Sequence, residues 1–352
     1  MTQSTPPAAE QGGAGLEGRL EALGALFEEA LERFVAARSA QPIENLHEGL
    51  RYALGLDLPA GPGRGKRVRP LLCLLTAEAL GADPRRALPF ALAIELMHNF
   101  ALVHDDMEDG DVMRRGRDAA WVRYGAAHGI NLGDYLLVQM MAALAEGEPD
   151  GLDDATRVRL LRLLTSALDH THVGQALDIN YRHRRSLSEE EYLRIVREKT
   201  GYYLAAPIQG GAIVAGASQR VIETIGEMAQ YLGPLFQIID DIIDLTDGKG
   251  RESVGSDIRE GKRSYLVAYA AQHGAPAQRE RLFDILDKPR EATTRADIDE
   301  AFAIFEALGA VAAGRDYCRR LHEDARRHLE RLPRELAEPL GAVIEMLVSR
   351  KQ

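Results

Sequence analysis

The sequence predicts an all-α protein, folded as one large domain over residues 16–352, and three observations carry that prediction. Apolar residues recur at three- and four-residue steps along almost the whole stretch, the period of helices with one buried face. Ala and Leu abound while aromatics make up only 6% of the chain, which favours helices over sheets. The alternation of Val, Ile and Thr that marks strands is missing, so neither a sheet nor a βαβ unit is expected.

Residues 1–15, rich in Pro, Gly, Ala and Ser/Thr, read as a disordered leader without the basic and apolar regions of a signal peptide. "LEGRLEALGALFEEALERFVAAR" (16–38) has helical spacing, and "LPAGPGRG" (58–65) is a loop. One helix is predicted from "KRVRP" to about Leu80 and another over 86–109. The second is apolar nearly all round, which places it at the centre of the molecule. Further helical segments follow at about 131–146, 153–180, 188–216, 218–245 and 260–273, then 277–287, 295–312, 314–331 and 334–349. Pro207 should kink or divide the 188–216 segment. "LTDGKGRESVGSD" (245–257) is a polar, Gly-containing loop.

Composition excludes some classes of function. A net charge of −11 argues against nucleic acid as a partner, though phosphate ligands answer to local charge. Two cysteines, Cys73 and Cys318, form no disulfide framework, which points to a reducing cytoplasm. No window approaches the roughly 18 uncharged apolar residues of a membrane span, so no transmembrane segment is expected.

A DDxxD pattern occurs twice, as "DDMED" (105–109) and "DDIID" (240–244). On a helix its first and last residues share a face, so each motif aims two carboxylates, flanked by a third, at one space. Both close very apolar runs, "ELMHNFALVH" and "MAQYLGPLFQII". Bare carboxylates there repel one another and the helix dipole, and cations relieve both penalties. All-oxygen donors select hard ions such as Mg²⁺, which is typically held by a few carboxylates plus substrate phosphates. A single DDxxD is equally a solvated acidic helix end; the repetition favours the cation. Basic residues accompany the acids: Lys66, Arg67 and Arg69 in "GKRVRP", Arg114 and Arg115 in "MRRG", Lys199 before Thr200 in "EKTG", and Lys262 and Arg263 in "REGKRS". Each alone reads as a surface cation, but together they suit a diphosphate.

From about residue 60 to 270 the chain resembles the trans-isoprenyl diphosphate synthases, the polyprenyl synthetases that include farnesyl and geranylgeranyl diphosphate synthases. "GKRVRP", "HNFALVHDDMEDGDVMRRG", "INLGDYLL", "GQALD", "KTGYYLAAPIQGGAIVAG", "FQIIDDIIDLTD" and "GSDIREGKRSYL" stand in that family's order. The resemblance implies an isoprenoid-synthase bundle of antiparallel helices around a deep central cavity, as a homodimer. It also implies a reaction between an allylic diphosphate and isopentenyl diphosphate, with Mg²⁺ as cofactor. On matching positions, Asp105, Asp109 and Asp240 become the principal metal ligands, supported by Asp106, Asp241 and Asp244. Arg114, Lys199 and Lys262 would clamp the allylic diphosphate, and Lys66, Arg69, His98 and Arg115 would bind isopentenyl diphosphate. Thr200 and Gln237 would line the reacting centre. On composition alone, His98 and His104 are equally core residues of an apolar helix; the family position favours a site role for His98.

The sequence departs from the family at several points. Arg64–Gly65 replaces a Gly pair, Val173 replaces the first Gly of "GGQ", and Ser264 stands where Thr is usual. After "RRG", the family's Pro-Thr-x-His is replaced here, with Asp118, Ala119 and Trp121 at those places. Phe100, five residues before Asp105 and thus about 7 Å along the helix, and the small Ala101 after it are candidates for the chain-length floor. In the family that pairing accompanies geranylgeranyl diphosphate, with farnesyl diphosphate next. Ordinary core packing of Phe100, with the limit set by Met97 or another helix, is the competing expectation. The rival functions are a class I terpene cyclase, against which the second DDxxD argues, and a non-catalytic regulatory subunit, which would usually lose one acidic motif. A His104–Asp105 metal-hydrolase dyad would need further histidine ligands.

Overall fold

The computed structural model describes residues 8–59, 61–146, 152–246 and 254–349, and helices dominate them. In chain order these are α1 (Ala8–Arg38), α2 (Leu46–Ala53), α3 (Val68–Ala79), α4 (Leu88–Glu108), α5 (Ala120–Tyr124), α6 (Ala126–Ala145) and α7 (Asp154–Tyr181). They continue with α8 (Glu189–Val196), α9 (Tyr202–Val214), α10 (Gln219–Thr246), α11 (Ser256–Arg259) and α12 (Tyr265–His273). The last four are α13 (Pro276–Leu286), α14 (Arg295–Ala307), α15 (Ala310–Leu329) and α16 (Arg334–Ser349). Local chemistry sets several starts. Asp153 accepts from Thr156 N to cap α7, and Ser188 with Glu191 and Thr294 with Asp297 form capping boxes at α8 and α14.

α4 is the central helix, as its all-round apolarity predicts. It packs on α6, α3, α1 and α9, while α10 lies between α9 and α15. By length and composition alone, the stretch Pro84–Glu108 is long and apolar enough to cross a membrane. Yet 78% of its most apolar window is buried against the other helices, as befits a core helix.

Four expectations change. α1 is described from Ala8, so part of the stretch read as a leader, residues 8–15, is helical. The expected absence of strands meets one exception, a hairpin pairing Met113–Arg114 with Arg117–Asp118. Its loop is Arg115–Gly116 with φ of 53° and 76°, the doubly positive geometry of a tight hairpin turn. Strands of two residues are too short to show alternation. The 188–216 segment is divided, but not at Pro207, which lies inside α9. The interruption is a π-helical turn at Arg197–Gly201. Finally, the helix read over 260–273 starts only at Tyr265, as α12; residues 260–264 form a turn and connection after the short α11. The loop read at 245–257 lies outside the described residues over 247–253.

Candidate active site

The π-helical turn holds Lys199 and Thr200, and glycines on two neighbouring helices let it in. A Cβ at Gly174 of α7 would stand 2.3 Å from Lys199 N, and one at Gly233 of α10 2.8 Å from Gly201 Cα. Any side chain at either place would push the turn away. Gly174 is the retained Gly of "VGQ"; Val173, the departure beside it, is 43% exposed. Such π turns often mark functional positions.

The turn borders a cavity of about 330 Å³. Asp105, Glu108, Asp240, Lys199 and Arg69 supply its charged walls, and Phe100 and Ala101 its apolar part. Thr200, Gln237, Gln175, His98 and Tyr203 also line it. Phe100 is buried, with its ring centroid 4.9 Å from that of His104 and 5.8 Å from that of His172. His104 lines the cavity as well and fills the groove above Gly133 of α6.

At the end of α4 every aspartate of the first motif faces a cation. Lys199 Nζ lies 2.9 Å from Asp178 Oδ2 and 3.5 Å from Asp105 Oδ1. Burial would lower the Lys199 ammonium, but Asp178, Asp105 and Asp109 together hold it above its ordinary range. Arg114 grips Asp106 through Nε (2.7 Å) and Nη2, and Arg182 Nη2 donates to Asp109 Oδ1. Arg290 Nη1 donates to Asp111 Oδ1 (3.0 Å) and to the Asp109 carbonyl (3.2 Å). Despite these cations, burial pushes the Asp106 carboxyl up to about 6, against the pull of Arg114. Burial and the Asp105 charge likewise raise Asp109, outweighing Arg182. Both carboxyls therefore hold their charge less readily than an exposed aspartate does.

The second motif is arranged differently. Asp240 lines the cavity, whereas Asp241 and Asp244 are 2% and 0% exposed. Asp241 Oδ2 accepts from Tyr192 Oη (2.8 Å) and Tyr265 N (3.0 Å), and Oδ1 from Gln237 Nε2 (3.0 Å) and Lys262 Nζ (3.1 Å). Asp244 accepts from Ser256 Oγ (2.6 Å) and Asp257 N (3.1 Å), tying α10 to α11. Of the three residues read as ligands, one faces the cavity and two face the protein. Lys262 is also turned inward, bridging Asp241 and Asp257 at 3.1 Å each, and does not line the cavity. Burial opposes its charge, but the surrounding carboxylates hold its ammonium well above the usual range.

The residues read as the isopentenyl diphosphate set do not all converge. Arg69 and His98 line the cavity, with the Arg69 guanidinium 4.4 Å from the Tyr203 ring centroid. Arg69 Nε and Tyr203 Oη are buried without a partner among the described residues. Burial, then Arg69, Arg115 and Arg114, hold the His98 imidazole well below its usual range, hence neutral. Lys66 is exposed beside this region. Arg115 of this set, and Arg114, read as part of the allylic clamp, line a separate crevice of about 30 Å³ behind Asp106. Arg67 leaves the patch altogether, its guanidinium buried against Glu28, Glu95 and the Leu54 carbonyl.

The altered positions have structural partners. Arg64 pairs with Glu28 and Glu32 of α1 at 3.3 and 2.6 Å. Trp121 Nε1 donates to the Asp111 carbonyl (2.8 Å), Tyr52 Oη to that of Asp118 (2.7 Å), and Ala119 is fully buried. This segment thus anchors the loop after the first motif and contributes nothing to the main cavity. Ser264 is the buried cap residue of α12.

The donors suit a hard cation, with a limit. Asp105, Glu108 and Asp240 line the cavity and offer only oxygen, and Asp109, its side chain 8% exposed, stands behind them without lining it. Among the described residues no three acidic, His or Cys side chains form a complete cage. An ion here would share its coordination with ligand oxygens and water, as Mg²⁺ commonly does. Sequence reasoning missed Gln175, Asp178, Arg182, Tyr203 and Arg290. Gln175 and Asp178 stand within "GQALD" and Tyr203 within "KTGYY"; Arg182 and Arg290 have no local signal.

Residues 61–305 match the family model described as polyprenyl synthetase. A geranylgeranyl diphosphate synthase of Methanosarcina mazei is 38% identical over 237 residues, 66% of this chain and 69% of the relative. A farnesyl diphosphate synthase of Geobacillus stearothermophilus is 33% identical over 273 residues, 76% of this chain and 89% of the relative. Among solved structures, a geranylgeranyl pyrophosphate synthetase from Pyrococcus horikoshii superposes with a TM-score of 0.83 at 28% identity, over 96% of this chain and 99% of that one.

Proposed function

The chain belongs to the polyprenyl synthetase family, and from that premise we propose that it condenses isopentenyl diphosphate with an allylic diphosphate, giving a short-chain prenyl diphosphate. The observation that carries this reading is the cavity itself: carboxylates and cations line one part of it, and Phe100 and Ala101 supply an apolar wall. A diphosphate with an isoprenoid tail has that division of polarity.

Asp105, Asp109 and Asp240 would hold Mg²⁺ together with diphosphate oxygens. When bound, the ion neutralises the diphosphate and eases its departure. Lys199, charged and steadied by Asp178, stands beside Asp105 to receive the diphosphate. The allylic C–O bond breaks with its electron pair leaving on the diphosphate, and the isopentenyl double bond attacks the allylic carbon. The departing diphosphate takes the proton lost in forming the new double bond. Thr200 supplies a hydroxyl oxygen beside the developing cation. Gln237, its Nε2 committed to Asp241, is left with its carboxamide oxygen for the same centre. Arg69, neutral His98 and Tyr203 would receive isopentenyl diphosphate, with Lys66 and Arg115 at its edge. With Lys262 and Asp241 paired behind Asp240, the clamp on the allylic diphosphate rests chiefly on Lys199.

The aromatic Phe100 with small Ala101 favours geranylgeranyl diphosphate as product, ahead of farnesyl diphosphate. A homodimer belongs to the same proposal. α6 leaves Ile130, Val138 and Met141 exposed along one face, and α7 exposes Val158 and Leu161, apolar side chains that a second copy would cover. A cytoplasmic location fits the two unpaired, buried cysteines. The test is incubation of the purified chain with Mg²⁺, isopentenyl diphosphate and each of dimethylallyl, geranyl and farnesyl diphosphate, with products read by mass spectrometry. A C20 diphosphate is expected. A hydrocarbon or no turnover would overturn the synthase reading, and farnesyl diphosphate alone would overturn the product.

A further inference from the structure

We infer that Arg182 is an internal counter-cation on Asp109, one that a divalent cation must displace, so that it sets how much metal the site requires. The last two turns of α7 present Gln175, Asp178 and Arg182 to the acidic end of α4. Gln175 donates to Asp105 and Glu108, Asp178 holds Lys199, and Arg182, at the end of the helix, reaches Asp109. Its guanidinium donates to Asp109 Oδ1 through Nη2 and to the Glu108 carbonyl (3.4 Å) through Nη1. Both partners are poorly hydrated, with side-chain exposures of 16% for Arg182 and 8% for Asp109.

A hard cation binds a carboxylate oxygen at about 2 Å. With the guanidinium still on that oxygen, two positive centres would face each other across one atom in a half-buried site, where repulsion is weakly screened. Metal entry is therefore coupled to loosening of the Arg182–Asp109 pair. Arg114 on Asp106 creates no such conflict, because Asp106 is 2% exposed and lines the crevice behind the cavity.

This inference rests on reading Asp109 as a cation ligand, and the test separates the two. Mn²⁺ serves as the probe, its free concentration followed by electron paramagnetic resonance on the full chain without substrate. Arg182→Gln should bind Mn²⁺ about tenfold more tightly than the wild type, Arg182→Lys should lie between them, and Asp109→Asn should erase the gain in the double variant. Circular dichroism and the melting temperature establish that the variants are folded. If the wild type binds and Arg182→Gln binds no more tightly, or more weakly, Arg182 orients Asp109 instead and the inference falls alone. If neither chain binds Mn²⁺, the reading of Asp109 falls with it.

Discussion

The two DDxxD motifs share a spacing and close equally apolar helices, yet their carboxylates meet different neighbours. At the end of α4, Asp105 opens on the cavity and Asp109 beside it is held by a single guanidinium, while burial raises both Asp106 and Asp109. At the end of α10, only Asp240 reaches the cavity. Asp241 and Asp244 are saturated by Tyr192, Tyr265, Gln237, Lys262, Ser256 and the Asp257 amide. One motif keeps Asp105 open to a ligand beside Lys199, and the other spends most of its charge joining α10 to α8, α11 and α12. Spacing determines which carboxylates could act together; burial and partners determine which of them do.

The largest effect expected from this contrast is on turnover. Asp105→Asn should lower it by about a thousandfold while leaving the melting temperature nearly unchanged, since its carboxylate is not a buried tie. Kinetics alongside thermal unfolding check this, and a large loss of stability with modest kinetic change would reverse the assignment. Asp244→Asn should do the opposite, costing about 2–3 kcal/mol in urea unfolding because buried charge-assisted bonds are lost. Unchanged stability with abolished diphosphate binding would show that the second motif acts as a whole on the ligand. The smallest effect, and the one that sharpens the view of α4, is Phe100→Ala. It should lengthen the product by at least one isoprene unit with turnover largely kept, as seen by mass spectrometry. An unchanged product distribution would return Phe100 to ordinary packing.

Much of this architecture was legible because helical patterning is local. The apolar run of α4 and the Ala- and Leu-rich helices of the first half both read from residues within a turn or two of one another. The hairpin at 113–118 escaped because two-residue strands have no periodicity to detect. Pro207 misled because a proline's cost is local, whereas the break in the 188–216 segment is at Arg197–Gly201, where Gly174 and Gly233 on other helices admit a π turn. Trp121, an anomaly in the motif, becomes a plain anchor once the Asp111 carbonyl stands beside it.

By itself the sequence determined that this chain is helical, that two sets of carboxylates at one-turn spacing end two buried helices, and that cations lie near them in the chain. Those are consequences of the 3.6-residue period, which couples only near neighbours. The tertiary structure alone decided that Asp240 faces the cavity while Asp241 and Asp244 do not, that Lys262 is committed behind the site, and that Arg182 and Arg290 close on the first motif from 73 and 181 residues away. The rotation of a helix about its axis, and the partners waiting on each side, follow from how all the helices pack. No window of sequence contains that information.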